Sequence, residues 1–348
     1  MDLNFTAASL KKIIVHYVGS KNNLEAVHLS QYELELDEET TELIGTGILN
    51  KFNQLFEYYQ FQHPSSLQLN EIYAYATDIF LDKDLFAEHS IHIAKHLYEQ
   101  STHPKVKGGE LYVCFFEGLP VEGRMHNAIG LFKTENKATF LEVNQQDQQL
   151  QLSMKEGVEI NKMDKGCLII NRNRDIGYDV LIFDNQNRGE EAAYWREKFL
   201  NLAPQKNEFH QTQHFLTLTK QFITQQLEGE FETPKNEQIE LLTKSIDYFR
   251  GKEAFDIEEF QQEVFQNDDM IQSFRQFGSR YTESHDFDIA SQFDISAMAV
   301  KKQARVFKSV LKLDKNFHIY IHGNTDLIEK GVDDNGRKFY KIYYQDES

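Results

Sequence analysis

KGCLIINRNRDIGYDVLIFDNQNRGEEAAYWREKFLNL, residues Lys165–Leu202, reads as a β-hairpin that leads into an amphipathic helix. Two apolar runs, Cys167–Ile170 and Val180–Phe183, flank a polar turn containing Arg172, Arg174, Asp175 and Gly177, as paired strands require. Ala192, Trp195 and Phe199 then recur at spacings of three and four. One apolar helix face therefore turns toward the hairpin, with Arg196 and Lys198 outside. The stretch defines an architecture and no reaction. Pro204 is expected to end the helix, and glutamine-rich helical sequence follows. The chain thus divides near Ala203–Lys206 into an α+β domain with an antiparallel sheet (1–204) and a mostly helical domain (205–348).

Upstream, Ile13–Val18 and Leu24–Leu29 form two β-rich runs around the turn residues Gly19 to Asn23, a hairpin pattern. His16 and His28 fall one on each run, where a facing metal pair is conceivable and simple packing the ordinary outcome. Asp37 is placed to cap a helix to about Leu55 with Leu43, Ile48, Leu49 and Phe52 inward. Its GTGILN lacks the third glycine of a dinucleotide loop, so Gly45 and Gly47 point to close helix packing. Residues 70–100 read as helix broken near Asp82–Asp84. On the second half His89, His92 and His96 share a sector of roughly 60°, which would let them meet one ion or form a polar flank beside Phe86, Ile93 and Leu97. Strands are expected at Leu111–Phe116, Ala128–Phe132, Thr139–Val143 and Leu150–Leu152. With the hairpin they make a sheet of about six strands.

In the second half, Phe215, Leu218 and Phe222 define an apolar stripe. Nearby His210 and His214 in HQTQH lack the glutamate of a zinc-protease helix and read as helix surface. Thr233-Pro234 marks a helix start, continued by Ile239, Leu242, Ile246 and Phe249 to Gly251. Asp256 with Glu259 resembles a capping box for a helix burying Ile257, Phe260 and Val264. The helix Asp268–Tyr281 follows, but residues 251–300 hold 3 basic and 11 acidic side chains, a net of −8, which opposes a helix-turn-helix DNA reader. The sign then reverses: Lys301, Lys302, Arg305, Lys308, Lys312 and Lys315 have only Asp314 among them. The first four lie at near-helical spacing, so a basic helix is expected, followed by a strand at Phe317–Ile321. Such a run is either a solvated face or a contact for backbone phosphate. Asp333 to Gly336 form a turn before a final strand, with Gly331 where a calcium loop needs an oxygen ligand.

The totals narrow the class. The 348 residues carry 37 basic and 55 acidic side chains, a formal charge of −18, which favours solubility and leaves room only for a local basic patch. No basic, apolar leader and no span of membrane length appears, and Cys114 and Cys167 sit in apolar strand-like runs, so a cytosolic protein with reduced thiols is expected. No G-x-S-x-G elbow and no P-loop is present.

The runs IIVHYVG, GGELYVCFF, KGCLIIN, YDVLIFDNQNRGEEAAYWREKFL and NFHIYIHGNTDLIEKGVDDNGRKFYKIYY together resemble the bacterial nucleoid-associated protein family typified by NdpA (YejK). The resemblance runs from about Leu10 to Tyr344. It implies a cytoplasmic, nucleoid-located protein without catalytic residues or a cofactor, held there by DNA or by another nucleoid protein such as a topoisomerase. For DNA contact the candidates are Lys301, Lys302, Arg305, Lys308 and Lys312. The alternatives are an acidic protein-interaction adaptor without DNA contact and a metal-dependent enzyme using His89, His92 and His96.

Overall fold

The computed structural model describes residues 4–146, 149–185, 194–231, 233–285, 287–304, 307, 309–313, 317–321 and 327–346. The chain forms two compact units, Met1–Gln205 and Lys206–Ser348, and the architecture is α+β.

The first unit is built on an antiparallel sheet of eight strands: β1 (Ser9–Val18), β2 (Val27–His28), β3 (Tyr59–Phe61), β4 (Gly109–Val121), β5 (Arg124–Thr134), β8 (Lys165–Ile170), β9 (Asp179–Asp184) and β10 (Leu202–Pro204). Their order across the sheet is β10-β3-β9-β8-β5-β4-β1-β2. The hairpin of the opening stretch lies inside it, with Cys167 opposite Ile182 and Ile169 opposite Val180. Its turn uses left-handed backbone at Asn173, Gly177 and Tyr178. A Cβ on Gly177 would stand 2.4 Å from the carbonyl oxygen of Phe61, so glycine there lets β3 approach.

Strand alternation sends side chains to two cores. Leu111, Val113, Phe115, Ile129, Leu131, Cys167 and Ile169 face α2 (Glu71–Leu81) and α3 (Phe86–Gln100), along with Trp195 and Phe199 of the π-helical turn Tyr194–Phe199. Cys114, Phe116, Ala128, Phe132, Leu168 and Ile170 face α1 (Glu38–Leu49). Asp37 caps α1 by accepting from the Thr40 amide at 2.7 Å. Gly45 and Gly47 supply close packing: a Cβ would lie 3.2 Å from Leu10 at the first and 2.5 Å from Ile160 at the second. The break near Asp82 is real, since Asp82 caps a short turn, Lys83–Leu85, between α2 and α3.

Several expectations are corrected. Thr139–Val143 and Leu150–Leu152 belong to a separate two-stranded ribbon, β6 (Ala138–Gln146) with β7 (Gln149–Gly157), and not to the main sheet. Pro204 lies in the edge strand β10, where a missing N–H is tolerated, and the helix before it has already ended at Phe199. Leu43 is exposed, because the buried stripe of α1 is Gly45, Ile48 and Leu49. His16 and His28 do not face each other: His16 pairs across the sheet with Leu111, whereas His28 pairs with Tyr17.

The second unit packs around Phe215, whose ring lies 4.3 to 5.9 Å from those of Phe249, Phe255, Phe260 and Phe274. These rings come from α4 (Glu208–Gln221), α5 (Lys235–Gly251), α6 (Ile257–Val264), α7 (Asp268–His285) and β11 (Ala254–Asp256), which pairs with β12 (Gln292–Asp294). Helix α5 starts one residue later than expected, with Pro234 in the cap position. Asp256 does cap α6, but Glu259 bonds Tyr248 Oη instead of returning to Asp256, whose amide donates to that same hydroxyl. After α8 (Ala297–Ala304) come two separate hairpins, β13 (Ser309–Leu313) with β14 (Phe317–Ile321) and β15 (Ile328–Val332) with β16 (Lys338–Ile342). The turn from Asp333 to Gly336 is a hairpin closed by Asp333, which accepts from the Asn335 and Arg337 amides.

Two glycine substitutions separate close approach from open space. Gly109→Ala puts a Cβ 1.7 Å from the Thr134 carbonyl oxygen and should destabilise by about 3 kcal/mol or more. Gly229, helical with nothing within 4 Å, should gain roughly 0.5–1 kcal/mol as alanine. Urea denaturation of both variants checks the contrast.

Candidate nucleic-acid interface

Sequence reasoning placed Lys301, Lys302, Arg305 and Lys308 on one helix, and the described residues test the first two of them. Among the described residues, helix α8 (Ala297–Ala304) carries Lys301 and Lys302, both exposed and in its last turn, where cations suit the helix dipole. Its inner face is fixed by buried Ala299 and Val300, by Ser296, whose amide donates to Thr212 Oγ1 at 3.0 Å, and by Gln303 Nε2 donating to Thr217 Oγ1 at 3.3 Å. Lys302 Nζ stands 5.4 Å above the Phe209 ring, a cation–π contact that holds the ammonium at the surface. Lys312 lies on β13 opposite His318 of β14. Arg305 and Lys308 lie outside the described residues, as does Lys315.

Arg172, in the hairpin turn of the opening stretch, is neutralised. It bonds Glu122 at 2.6 Å and faces Asp179 at 3.4 Å.

The histidines serve packing. His96 has both ring nitrogens engaged, Nδ1 with Glu71 and Nε2 with the Phe199 carbonyl at 3.0 Å. His89 stacks on Tyr75 with its Nε2 3.4 Å from Asp78, and His92 tilts against the same tyrosine. One helix face thus serves two different neighbours, and no group of three histidine, cysteine or carboxylate side chains among the described residues could hold a metal. His210 is buried and not on a helix surface; it packs with His214 against Phe287. His16 is buried too, bonded to Ser90 and to the Ser30 amide.

A charged cluster that sequence reading missed lies at one end of the central strands. Lys133 of β5 and Lys165 of β8 are direct cross-strand partners and both are fully buried. Lys133 Nζ donates to Glu135 Oε1 at 2.9 Å and to the Lys107 carbonyl at 2.6 Å. Lys165 Nζ donates to both Asp184 oxygens at 3.0 Å, and Glu135 also faces it at 3.8 Å. Tyr194 covers the pair, its hydroxyl donating to Glu135, while Asp164 accepts from the Asn136 amide and side chain. Burial lowers the Lys133 pKa and raises that of Tyr194 well above the phenol range. The available signal was a lysine directly flanking an apolar strand run on each side, IGLFK and KGCLII. The ammonium groups have hydrogen-bonding partners on the protein, and the cluster is an ionic core.

The fold thus defines an acidic α+β protein in which Lys301 and Lys302 stand exposed at the end of α8 in its second unit. The family model described as nucleoid-associated protein YejK matches residues 14–337, and the chain belongs to that family of nucleoid-associated proteins. No curated protein matches it. No helix among the described residues is long and apolar enough to cross a membrane.

Asp184→Asn leaves the Lys165 ammonium buried without its main partner and should cost about 3–5 kcal/mol, whereas Lys162→Ala, at an exposed pair with Glu159, should leave the urea midpoint unchanged. Acid should weaken the fold through histidine. Burial holds the pKa of His16 and of His210 down at about 4, with His214 and Lys206 also opposing charge on His210. The unfolded rings titrate near 6.5. This contribution to stability is therefore whole above pH 6.5, declines as pH falls from 6.5 to 4, and changes no further below. Melting temperature against pH should show a shallower acid slope in His210→Phe than in the wild type.

Proposed function

We propose that the chain is a non-enzymatic nucleoid-associated protein that holds DNA by its backbone phosphates through Lys301, Lys302, Arg305, Lys308 and Lys312. The observation that carries this reading is the local reversal of charge: the acidic run 251–300 gives way to six cations with one acid between them, and the two lysines of α8 stand exposed. Membership of the nucleoid-associated family supports it. Phosphate contact needs only projecting ammonium and guanidinium groups on a fixed element, and it supplies affinity without sequence preference. Helix α8 is such an element, pinned from behind by Thr212 and Thr217. On a chain of net −18 the contact has to be short in range and strongly dependent on salt.

Anisotropy of a labelled duplex, titrated across a salt series, tests the proposal. Affinity should fall steeply with salt, and Lys301→Glu with Lys302→Glu should weaken binding roughly tenfold or more and flatten the log–log slope by about 1 per lost contact. No binding at low salt, or binding untouched by the charge reversals, would overturn it and move nucleoid association to a protein partner.

A further inference from the structure

We infer that one face of the β15–β16 hairpin is a binding site for single-stranded DNA, with Lys330 and Lys338 on two phosphates and a base stacked on Tyr340 between them. The register sets Ile328 opposite Ile342, Lys330 opposite Tyr340 and Val332 opposite Lys338, and cross-strand partners share one face. The alternate pairs, Glu329 with Lys341 and Gly331 with Phe339, belong to the other face. Charge is sorted between the two. Lys341 on the second face is answered by Glu329 at 3.8 Å, and at the turn Arg337 Nε donates to Asp333 at 2.8 Å. The first face carries two lysines and no acid. Both lysines are exposed, and neither has a carboxylate partner among the described residues. The hairpin adds no described residue to the aromatic core of the second unit, and Val332 and Ile342 are 62% and 46% exposed.

The chemistry of the face selects the occupant. Lys330 and Lys338 are diagonal neighbours, about 7–8 Å apart at the backbone; one stands across from Tyr340 and the other two positions along its strand. Unpaired ammonium groups call for an anion, and the aromatic and aliphatic surface around them calls for a flat apolar group attached to it. A single strand supplies both, because its unpaired bases present π-faces beside the phosphates. A duplex keeps those faces stacked inside and offers phosphate alone, and an acidic peptide offers charge without a planar base. Nucleoid association makes DNA the strand in question. Two phosphates and one base give a weak site, within the range of about 10⁻⁴–10⁻⁶ M usual for contacts without sequence preference. This site uses none of the residues proposed for duplex contact and does not depend on them.

Anisotropy of a short labelled oligodeoxythymidylate with the full chain at low salt tests the inference. Wild type should bind it, and unlabelled oligodeoxythymidylate should displace it better than polyglutamate of equal charge. Lys330→Gln with Lys338→Gln, at exposed sites that leave circular dichroism unchanged, should weaken binding roughly tenfold or more and flatten the log–log salt slope by about 0.7 per lost contact. Arg337→Gln with Lys341→Gln, the same change of charge among the paired cations, should leave binding in place. Tyr340→Leu should cost roughly fivefold or more, whereas Tyr340→Phe, which keeps the ring, should not. Lys301→Glu with Lys302→Glu should spare the single strand. No binding at low salt, equal losses from the two glutamine pairs, Tyr340→Leu as tight as wild type, tighter binding of oligouridylate, or equal displacement by polyglutamate would overturn the inference. Loss through Lys301→Glu with Lys302→Glu but not through Lys330→Gln with Lys338→Gln would overturn it too, while leaving the duplex contact standing.

Discussion

Two ammonium groups buried side by side constrain the first unit more than any other interaction. Lys133 and Lys165 are cross-strand partners at the ends of β5 and β8, and neither can be desolvated without a carboxylate in place. Glu135 serves both, and Asp184 completes the pairing from β9. The cluster therefore fixes the register of three adjacent strands at once, because a slip of one residue would turn a lysine to the opposite face. Tyr194 closes it from the start of the π-helical turn, so the segment carrying Trp195 and Phe199 is tied to the same point. Such a network supplies specificity of register more than net stability, since hydrophobic replacements of buried ion pairs are often neutral or better.

Where local physical chemistry decided the outcome, the sequence was legible. The Asp37 cap, the break at Asp82, the hairpin at Cys167–Phe183 and the stripe of Phe215, Leu218 and Phe222 all follow from short-range rules of capping and periodicity. Long-range choices were not. Nothing in TFLEV and LQL distinguishes a strand of the main sheet from one of a separate ribbon; the exposure of their apolar side chains does. Pro204 reads as a stop signal, yet an edge strand accepts proline equally well. The histidines on α3 share a face, but that face meets Tyr75 at one end and Phe199 at the other, and periodicity carries no information about which neighbours arrive. Lysines 133 and 165 are 32 positions apart in the numbering, and only strand pairing brings them together. Of the candidate interface, the charge reversal was visible in the sequence, whereas the strand β13 that carries Lys312 was not.

That strand bears on function. A basic helix presents its cations as one rod, while a helix end followed by a β-hairpin offers them on two elements of different shape. Lys301 and Lys302 occupy a fixed helix terminus, and Lys312 lies in a ladder with β14. The rest of the second unit is acidic, with a net of −8 over residues 251–300, so the proposed phosphate contact would be confined to one place. A nucleoid-associated protein of this design would sit on DNA locally and keep most of its surface in solvent.

Hydrogen exchange of the full chain with and without a short duplex at low salt tests the central claim most directly, because it reports where DNA lies without altering any residue. Slowed amide exchange within residues 297–321, with the main sheet of the first unit unchanged, is the result the account predicts. Unaltered exchange across 297–321, or protection confined to the first unit, would contradict it.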